Sequence, residues 1–109
     1  MIEWADFEKV DIRCGTIISV EAFPKARKPA YQLTIDFGPM GIKKSSAQIT
    51  KYYDETSLLQ RQVIAVVNFP VKQIANFYSE CLVLGLYDDI NEVVLLQPER
   101  NVPNGSKMG

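Results

Sequence analysis

The sequence predicts an all-β domain made of short strands. Several stretches alternate apolar and polar residues with the period of two that a half-buried strand requires, and Gly, Pro, Asn and Asp separate these stretches. The chain has 109 residues and a hydrophobic content of 47%, which is enough for one compact core and leaves no room for a second. We therefore expect residues 1–109 to form a single domain.

The first three predicted strands lie in the first half of the chain. Residues 10–23 alternate almost regularly, and Gly15 lies where so long a strand is expected to bend or bulge. Residues 31–37 alternate cleanly and end at Gly38-Pro39, which terminates the strand. Residues 42–49 show a weaker pattern of the same kind, so a third strand is expected there.

A short helix and three further strands are expected in the second half. The pattern changes over residues 52–62, where Asp54 is suited to cap the start of a short helix. Residues 63–69 are nearly all apolar, as in a strand buried on both faces. Residues 81–87 and 93–96 complete the set, with a turn between them.

Five or six strands with one short helix between the third and the fourth are typical of an OB-fold, a five-stranded Greek-key barrel. An SH3-like barrel has a similar number of strands, and periodicity alone does not separate the two. Residues of about 1–9 and 98–109 lie outside the predicted barrel as short terminal extensions.

Composition argues against catalysis. The chain has no histidine, which is the commonest general base and the commonest metal ligand. Its two cysteines, Cys14 and Cys81, are far apart and fit no metal-binding spacing, so we expect both to be small buried hydrophobic residues. An enzyme would have to rely on carboxylates such as Asp36 or Glu80 alone. We expect a protein that is not an enzyme and has no cofactor and no metal ion.

The start of the chain and the charge pattern bear on location and ligand. Residues 1–6 lack the basic start and apolar run of a secretory signal, and no stretch has the length of a membrane span, so we expect a cytoplasmic protein without membrane insertion. The formal net charge is −1, yet residues 25–53 hold six bases and one acid, a net of +5. This asymmetry predicts a local surface that binds anions.

Five separated blocks, in this order, resemble the tRNA-binding-domain superfamily and, within it, the free-standing CsaA branch of secretion-related chaperones. The blocks are VDIRCG at 10–15, PKARKPAY at 24–31, SSAQIT at 45–50, VVNFP at 66–70 and SECLVLG at 79–85. Members of the superfamily are OB-fold domains that bind tRNA, either as appendages of aminoacyl-tRNA synthetases or as free homodimers. Cys81-Leu82 replaces the Gly-Met that is usual in the appended domains, which favours the CsaA branch.

Basic side chains are the first candidates for contact with tRNA. Lys25, Arg27 and Lys28 lie in a loop bracketed by prolines between the first two strands, and loops at this position of an OB-fold commonly contact oligonucleotides. Lys43 and Lys44 are adjacent on the third strand, so their side chains point to opposite faces and only one of them can join the same surface.

Three polar residues form the second candidate group. Asn68 ends one predicted strand, and Ser79 and Glu80 begin the next, so antiparallel pairing would bring them to one rim of the barrel. An amide, a hydroxyl and a carboxylate together suit a base edge or a ribose hydroxyl. The alternative is structural, with Asn68 capping a turn and Glu80 pairing with Lys72. The family resemblance favours the binding role.

Three aromatic residues near the same loop are candidates for binding unfolded polypeptide or for stacking on bases. They are Phe69, Phe77 and Tyr78. The alternative is that they belong to the core. Since Phe77 and Tyr78 are adjacent, one ring is expected to face inward and the other to face solvent if the segment is extended.

The termini are candidates for a subunit interface. Trp4, Phe7 and Val10 are spaced three apart, as on one face of a short helical turn, and the tail with Val102 and Pro103 has no core element of its own. The resemblance to free dimers implies that these termini form a homodimer interface. The alternative is that they dock onto their own barrel.

The function that follows is tRNA binding by an OB-fold homodimer with secretion-chaperone activity, through the basic loop and the polar rim. The alternative is an export chaperone that holds unfolded preproteins in an apolar cleft, with tRNA binding incidental. The expected partners are therefore tRNA, unfolded preproteins and the export machinery. Salt dependence separates the two functions, because phosphate contacts weaken steeply with salt and apolar contacts do not.

Overall fold

The structure, a computed structural model, describes all 109 residues and consists mostly of short strands. Its nine strands are β1 (Ile12–Ala22), β2 (Tyr31–Asp36), β3 (Ile42–Ala47), β4 (Gln62–Val66), β5 (Lys72–Ile74), β6 (Phe77–Ser79), β7 (Leu82–Val83), β8 (Gly85–Tyr87) and β9 (Val93–Leu95). Two short helices, α1 (Trp4–Glu8) and α2 (Glu55–Leu58), complete the fold together with a 3-10 turn at Gly38–Met40. Neither α1 nor α2 has the length or the apolar composition needed to cross a membrane.

The main sheet has five antiparallel strands in the order β3-β2-β1-β4-β7. Its two edges approach each other: the Glu80 amide donates to the Lys44 carbonyl at 2.7 Å, and Ser45 Oγ donates to the Cys81 carbonyl at 2.9 Å. The sheet is therefore a nearly closed barrel, with α2 between β3 and β4. This arrangement confirms the OB-fold.

The core lies inside the barrel. Its fully buried large side chains are Phe37, Ile17, Leu33, Ile35, Leu58 and Val63. Gly15 lies against this core, where an added Cβ would come within 2.7 Å of Phe37 Cδ1. The break in register of β1 falls between Ile17 and Ser19. The irregularity in the register of β1 therefore lies beyond Gly15, where the missing Cβ makes room for the side chains of Ile35 and Phe37.

The short helix begins where the sequence predicts. The Asp54 carboxylate accepts from the Ser57 amide at 2.7 Å, and Ser57 Oγ accepts from the Asp54 amide at 3.0 Å, which is a reciprocal cap. Leu58 anchors α2 in the core. The helix is shorter than the predicted 52–62, because Leu59 already has an extended backbone and Gln60 has a φ of 67°.

Two hairpins outside the main sheet were not predicted as such. Strands β5 and β6 pair with each other, and Phe77 attaches this hairpin to Phe23 with ring centroids 5.4 Å apart. The predicted strand 81–87 is two strands, because the Leu84 amide still donates to Ile64 of β4, whereas β8 turns away to pair with β9.

The C-terminal tail docks onto its own barrel. The Cys14 amide donates to Ser106 at 3.0 Å, and the amides of Gly105 and Met108 donate to Cys14 and Ile12 at 2.7 and 2.9 Å. The tail thus runs beside the first residues of β1 and is held there by backbone hydrogen bonds. For the C-terminal segment, the structure therefore shows the alternative given above, in which a terminus docks onto its own barrel.

Candidate nucleic-acid interface

A groove of about 550 Å³ lies on the barrel between the end of β3, the β5–β6 hairpin and the β8–β9 hairpin. We call it the barrel groove. Its polar and charged lining residues are Lys28, Ser46, Gln48, Lys72, Ser79, Asn91 and Glu92. Apolar residues, among them Ile49, Ile74 and Val83, form the rest of the lining together with Tyr87. The mixture of cations, hydrogen-bonding groups and apolar surface suits a nucleic-acid strand.

Three lysines surround the barrel groove without a carboxylate partner. Lys28 comes from the loop between β1 and β2, and Lys72 lies on β5. Lys51 lines an adjoining pocket of about 430 Å³ together with Lys28 and Glu92. No carboxylate oxygen lies within 4.0 Å of any of these ammonium groups, since the three ion pairs of the protein involve other residues. These charges are therefore free to neutralise phosphates.

The predicted basic loop, residues 24–29, is anchored at its base. The Phe23 amide donates to the Ala30 carbonyl at 3.2 Å, and both side chains are buried against Phe77. Lys25, Arg27 and Lys28 are all exposed. Among the three, Lys28 reaches the barrel groove.

The two lysines of β3 differ in exposure, as their adjacent positions require. Lys43 is partly buried on the face that also carries the buried Ser45 and Ala47. Lys44 is exposed on the face of Ser46, a groove residue. The groove lining includes Ser46, on the face of Lys44, and Ala47, on the face of Lys43, and neither lysine is itself in the lining.

The expected polar pocket of Asn68, Ser79 and Glu80 is divided, because Ser79 and Glu80 bond to the backbone of β3 and Asn68 bonds to the N-terminal segment. Asn68 Nδ2 donates to the Lys9 carbonyl at 2.7 Å, and its Oδ1 accepts from the Asp11 amide at 3.0 Å. Asn68 thus holds the N-terminal segment. The alternative ion pair between Glu80 and Lys72 is also absent.

Ser79 and Glu80 instead close the barrel at β3. Glu80 Oε1 accepts from the Lys44 amide at 3.0 Å, and Ser79 Oγ accepts from the Ser46 amide at 3.2 Å. These side chains replace the missing ladder bonds on the exposed edge of β3. Ser79 also lines the barrel groove, whereas Glu80 does not.

The three predicted aromatic contacts have different environments. Phe77 is 7% exposed and packs on Phe23, so its ring offers little accessible surface. Phe69 and Tyr78 are exposed. Phe69 lines a cavity of about 260 Å³ with Lys72 and Leu82. Inward Phe77 and outward Tyr78 follow the alternation expected of an extended segment.

Sequence reasoning missed the groove wall formed by the β8–β9 hairpin. Tyr87 lies on this wall and is 76% exposed, and Asn91 and Glu92 follow in the turn and at its end. The apolar run of residues 81–87, read as a strand, was the available signal. It places neighbouring side chains on opposite faces but does not indicate that one face borders a groove.

A contact between Tyr52 and Asp88 fixes this wall to the loop after β3. The Tyr52 hydroxyl donates to Asp88 Oδ2, while Asp88 Oδ1 accepts from the amides of Ile90 and Glu92 at 3.0 and 2.9 Å. The Tyr52 hydroxyl is the main cause that lowers the pKa of Asp88, and the same bond raises the pKa of Tyr52. The contact therefore fixes the end of the barrel groove.

No arrangement of side chains suggests catalysis or a metal centre. The prediction that both cysteines are buried is confirmed, and neither forms a disulfide. Burial raises the pKa of the Cys81 thiol to about 11. A thiol with so high a pKa is not a nucleophile near neutral pH. No cluster of three or more Cys, Asp or Glu residues has the geometry to hold a metal ion.

A second exposed region, which we call the terminal surface, lies at the chain ends. Trp4, Phe7, Val10 and Met108 line a cavity of about 380 Å³ there. Trp4 stacks on Phe7 with ring centroids 6.0 Å apart and remains 77% exposed. The structure brings the first three predicted interface residues together with the tail.

The other two predicted interface residues lie further along the tail. The side chain of Gln62 donates to the Val102 carbonyl at 2.7 Å and accepts from its amide at 3.2 Å. Val102 lines a neighbouring pocket that also includes Met108, and Pro103 is exposed.

Comparison with known proteins relates this architecture to tRNA binding and to chaperones. Residues 12–107 match the family described as "Putative tRNA binding domain". The crystal structure of the chaperone CsaA from Bacillus anthracis is 50% identical with a TM-score of 0.95, covering 100% of this chain and 99% of that one. The CsaA chaperone protein from Picrophilus torridus is 52% identical with a TM-score of 0.93, and each chain is covered in full.

A longer relative carries a similar segment. The methionine–tRNA ligase of Pyrococcus abyssi is 35% identical over 107 residues, which are 98% of this chain. The chain spans only 14% of that ligase. The similarity therefore concerns one domain of the enzyme.

Proposed function

Because this chain belongs to the tRNA-binding domain family, we propose that it binds tRNA, without catalysis, at the barrel groove and the basic loop of residues 24–29. The observation that carries the proposal is the family match over residues 12–107. The unpaired Lys28, Lys51 and Lys72 around the groove support it, since phosphate contacts supply most of the affinity for nucleic acid.

The charge distribution accounts for binding by a protein that is slightly acidic overall. With a formal net charge of −1, the molecule as a whole does not attract polyanions. The attraction is local, because Lys25, Arg27 and Lys28 lie in one loop at the groove and Lys51 and Lys72 lie on its other sides. Lys44, on the face of Ser46, extends the same surface.

A charge-matched pair of variants tests this surface. Lys25/Lys28→Ala removes two positive charges from the loop, and Lys9/Arg100→Ala removes two from exposed positions elsewhere. Affinity for bulk tRNA is measured at fixed ionic strength. We expect the loop variant to bind at least roughly tenfold more weakly and the control variant to bind like wild type. Equal losses in both variants would show that only net charge matters and would contradict the proposed surface.

A second candidate function, chaperone activity, has support of its own. The two CsaA chaperones match over the full length of this chain at 50% and 52% identity. Phe69 and Leu82 are exposed in the cavity beside the barrel groove, and Tyr78 is exposed on β6, so all three offer apolar contacts to an unfolded chain. In this function the protein holds unfolded preproteins and passes them to the export machinery.

Replacing exposed apolar residues by serine distinguishes the chaperone function from tRNA binding. Phe69→Ser removes an exposed ring at the groove, and Leu59→Ser removes an exposed side chain elsewhere as the control. Binding to an unfolded preprotein is measured at low and high salt. We expect binding that resists salt and is weakened in Phe69→Ser alone. A preprotein interaction that disappears at high salt would exclude the apolar contact.

The proposal also includes a homodimer in the cytoplasm. Trp4, Phe7, Val10 and Met108 form an apolar surface that a second copy would cover. Two barrel grooves in one particle would then contact one tRNA, and the second contact would be intramolecular and would raise the avidity. The proposed interface extends along the tail to Val102, which lines a neighbouring pocket with Met108, and to the exposed Pro103.

A further inference from the structure

We propose that the barrel groove takes an unpaired segment of RNA and that the β8–β9 hairpin distinguishes RNA from DNA there. In this proposal Tyr87 stacks on a base and the Glu92 carboxylate accepts a hydrogen bond from a ribose 2′-hydroxyl. The inference rests on the proposed tRNA-binding function and specifies which part of the ligand enters the groove.

The hairpin is built to hold its groove face in a fixed position. Asp88 binds the amides of Ile90 and Glu92 and the hydroxyl of Tyr52, so the turn is tied to the loop after β3. At the other end, a Cβ on Gly85 would lie 2.5 Å from Val93 Cγ1, which shows how closely the two strands pack. A fixed wall presents its side chains to a ligand with little loss of conformational entropy.

Three polar side chains, two on this hairpin and one after β3, have no partner within the protein. Gln48, Asn91 and Glu92 line the groove or its adjoining pocket, and none of their side chains forms a hydrogen bond or an ion pair. Glu92 shares the adjoining pocket with Lys28 and Lys51 without approaching either within ion-pair distance. These groups are therefore available to a ligand.

The position of Glu92 indicates what it recognises. A carboxylate only accepts hydrogen bonds, and it repels phosphate. Lys28 and Lys51 beside it attract the phosphates, so the sugar of the bound strand lies close to Glu92. The 2′-hydroxyl is the donor of that sugar, and it is present in RNA and absent from DNA.

The size of the groove favours an unpaired strand over a helical arm. About 550 Å³ is within the range of roughly 300–1,000 Å³ for pockets that hold small ligands, so it admits one or two nucleotides. In a helical arm the bases are stacked on each other and cannot reach Tyr87. In an unpaired segment they turn outward and stack on an exposed aromatic ring.

The test compares a short mixed-sequence RNA, DNA of the same sequence and an RNA duplex by fluorescence anisotropy. For wild type we expect the single-stranded RNA to bind more tightly than either of the others. Tyr87→Ala is expected to weaken binding of the RNA roughly tenfold, whereas Leu86→Ala, which alters the exposed neighbour of Tyr87 on β8 outside the groove lining, leaves it unchanged. Glu92→Ala is expected to lower the ratio of RNA to DNA affinity roughly tenfold, and Glu92→Gln, which keeps an acceptor oxygen, to preserve most of that ratio.

The outcomes separate this inference from the function on which it rests. If tRNA binds in a salt-sensitive manner but the single-stranded RNA does not compete with it, the inference is overturned and the tRNA function stands. An equal affinity for duplex and single strand, or an RNA to DNA ratio unchanged in Glu92→Ala, also overturns the inference. If neither tRNA nor single-stranded RNA binds, the proposed function itself fails.

Discussion

The side chain of Glu80 closes the barrel with one hydrogen bond of the kind that a neighbouring strand would otherwise supply. Its Oε1 accepts from the Lys44 amide at 3.0 Å, and its own amide donates to the Lys44 carbonyl. Glu80→Ala leaves the Lys44 amide to solvent, and we expect the free energy of unfolding to fall by about 1 kcal/mol. Glu80→Gln retains an acceptor and is expected to lose less. Chemical denaturation measures both changes.

The same two variants test whether Glu80 contacts RNA. Since Glu80 does not line the barrel groove, we expect both variants to bind tRNA like wild type wherever they remain folded. Weaker tRNA binding with unchanged stability would contradict the structural role and restore the role in the polar rim.

Tyr52 controls the ionisation of Asp88. Its hydroxyl is the first cause that lowers the pKa of Asp88, so ionised Asp88 stabilises the fold above the ordinary range of a carboxyl group. That contribution is lost as the pH falls through the lowered pKa. In Tyr52→Phe we expect the pKa of Asp88 to rise towards its ordinary value, while the amides of Ile90 and Glu92 keep it partly lowered.

An NMR titration of the Asp88 carboxyl group measures this change. Tyr78→Phe is the matched control, because the Tyr78 hydroxyl forms no hydrogen bond with the protein and its removal should not alter Asp88. A pKa of Asp88 that is the same in Tyr52→Phe and in wild type would show that Tyr52 does not hold the hairpin.

At the scale of elements, the β5–β6 hairpin depends on a small core of its own. Phe77, Phe23 and Ala30 form a buried cluster separate from the barrel interior. We expect Phe77→Ala to cost about 3 kcal/mol, because a buried aromatic side chain is lost and its cavity is not refilled. The loss should release the hairpin and the loop of residues 24–29 before the barrel unfolds.

Amide hydrogen exchange tests this order of events. In Phe77→Ala, residues 72–79 are expected to exchange much faster, while the amides of β1 paired with β4 keep their protection. Uniformly faster exchange throughout the chain would instead indicate that the hairpin and the barrel form one cooperative unit.

The long strands were predictable because their patterns are strong. Residues 10–23 and 31–37 alternate over many positions, and the observed β1 and β2 fall within these ranges. The Asp54 cap was also predictable, because a capping side chain acts on amides only a few residues away. Local chemistry and long periodicity thus accounted for β1, β2 and the start of α2.

The hairpins were not predictable for the opposite reason. Strands β5 and β6 have three residues each, which is too short for a pattern, and Phe77 fixes them through a contact with the distant Phe23. The division between β7 and β8 depends on which partner each segment meets. The sequence of residues 81–87 does not indicate which strand each of the two segments pairs with.

The candidate surface was predicted only in part for the same reason. The basic loop is contiguous, so its three cations were evident from the sequence. The opposite wall joins Lys72, Tyr87 and Glu92 from two hairpins, and only the fold brings them to one groove. Asn68 was assigned to this rim from its position at a strand end, yet its amide bonds to Lys9 and Asp11.

At the scale of the whole molecule, the terminal surface predicts the oligomeric state. Helix α1 contains no buried residue, and Trp4 is mostly exposed, so a charge at this position does not disturb the monomer core. We expect wild type to sediment as a dimer and Trp4→Glu to sediment as a folded monomer. Ile42→Glu, which alters an exposed apolar residue on β3, is the control and is expected to remain dimeric.

Sedimentation equilibrium decides between the two interpretations of the termini. A monomeric wild-type protein would show that Trp4 and Phe7 contact only residues of their own chain. It would also remove the gain in avidity that the proposed function assigns to two grooves.

The salt dependence of tRNA binding by the wild-type protein tests the central claim most directly. If the cations of the barrel groove and the basic loop neutralise roughly four phosphates, the logarithm of the association constant should fall against the logarithm of salt concentration with a slope of about −3. Affinity that does not change with salt, or no measurable binding to tRNA at low salt, would contradict the account.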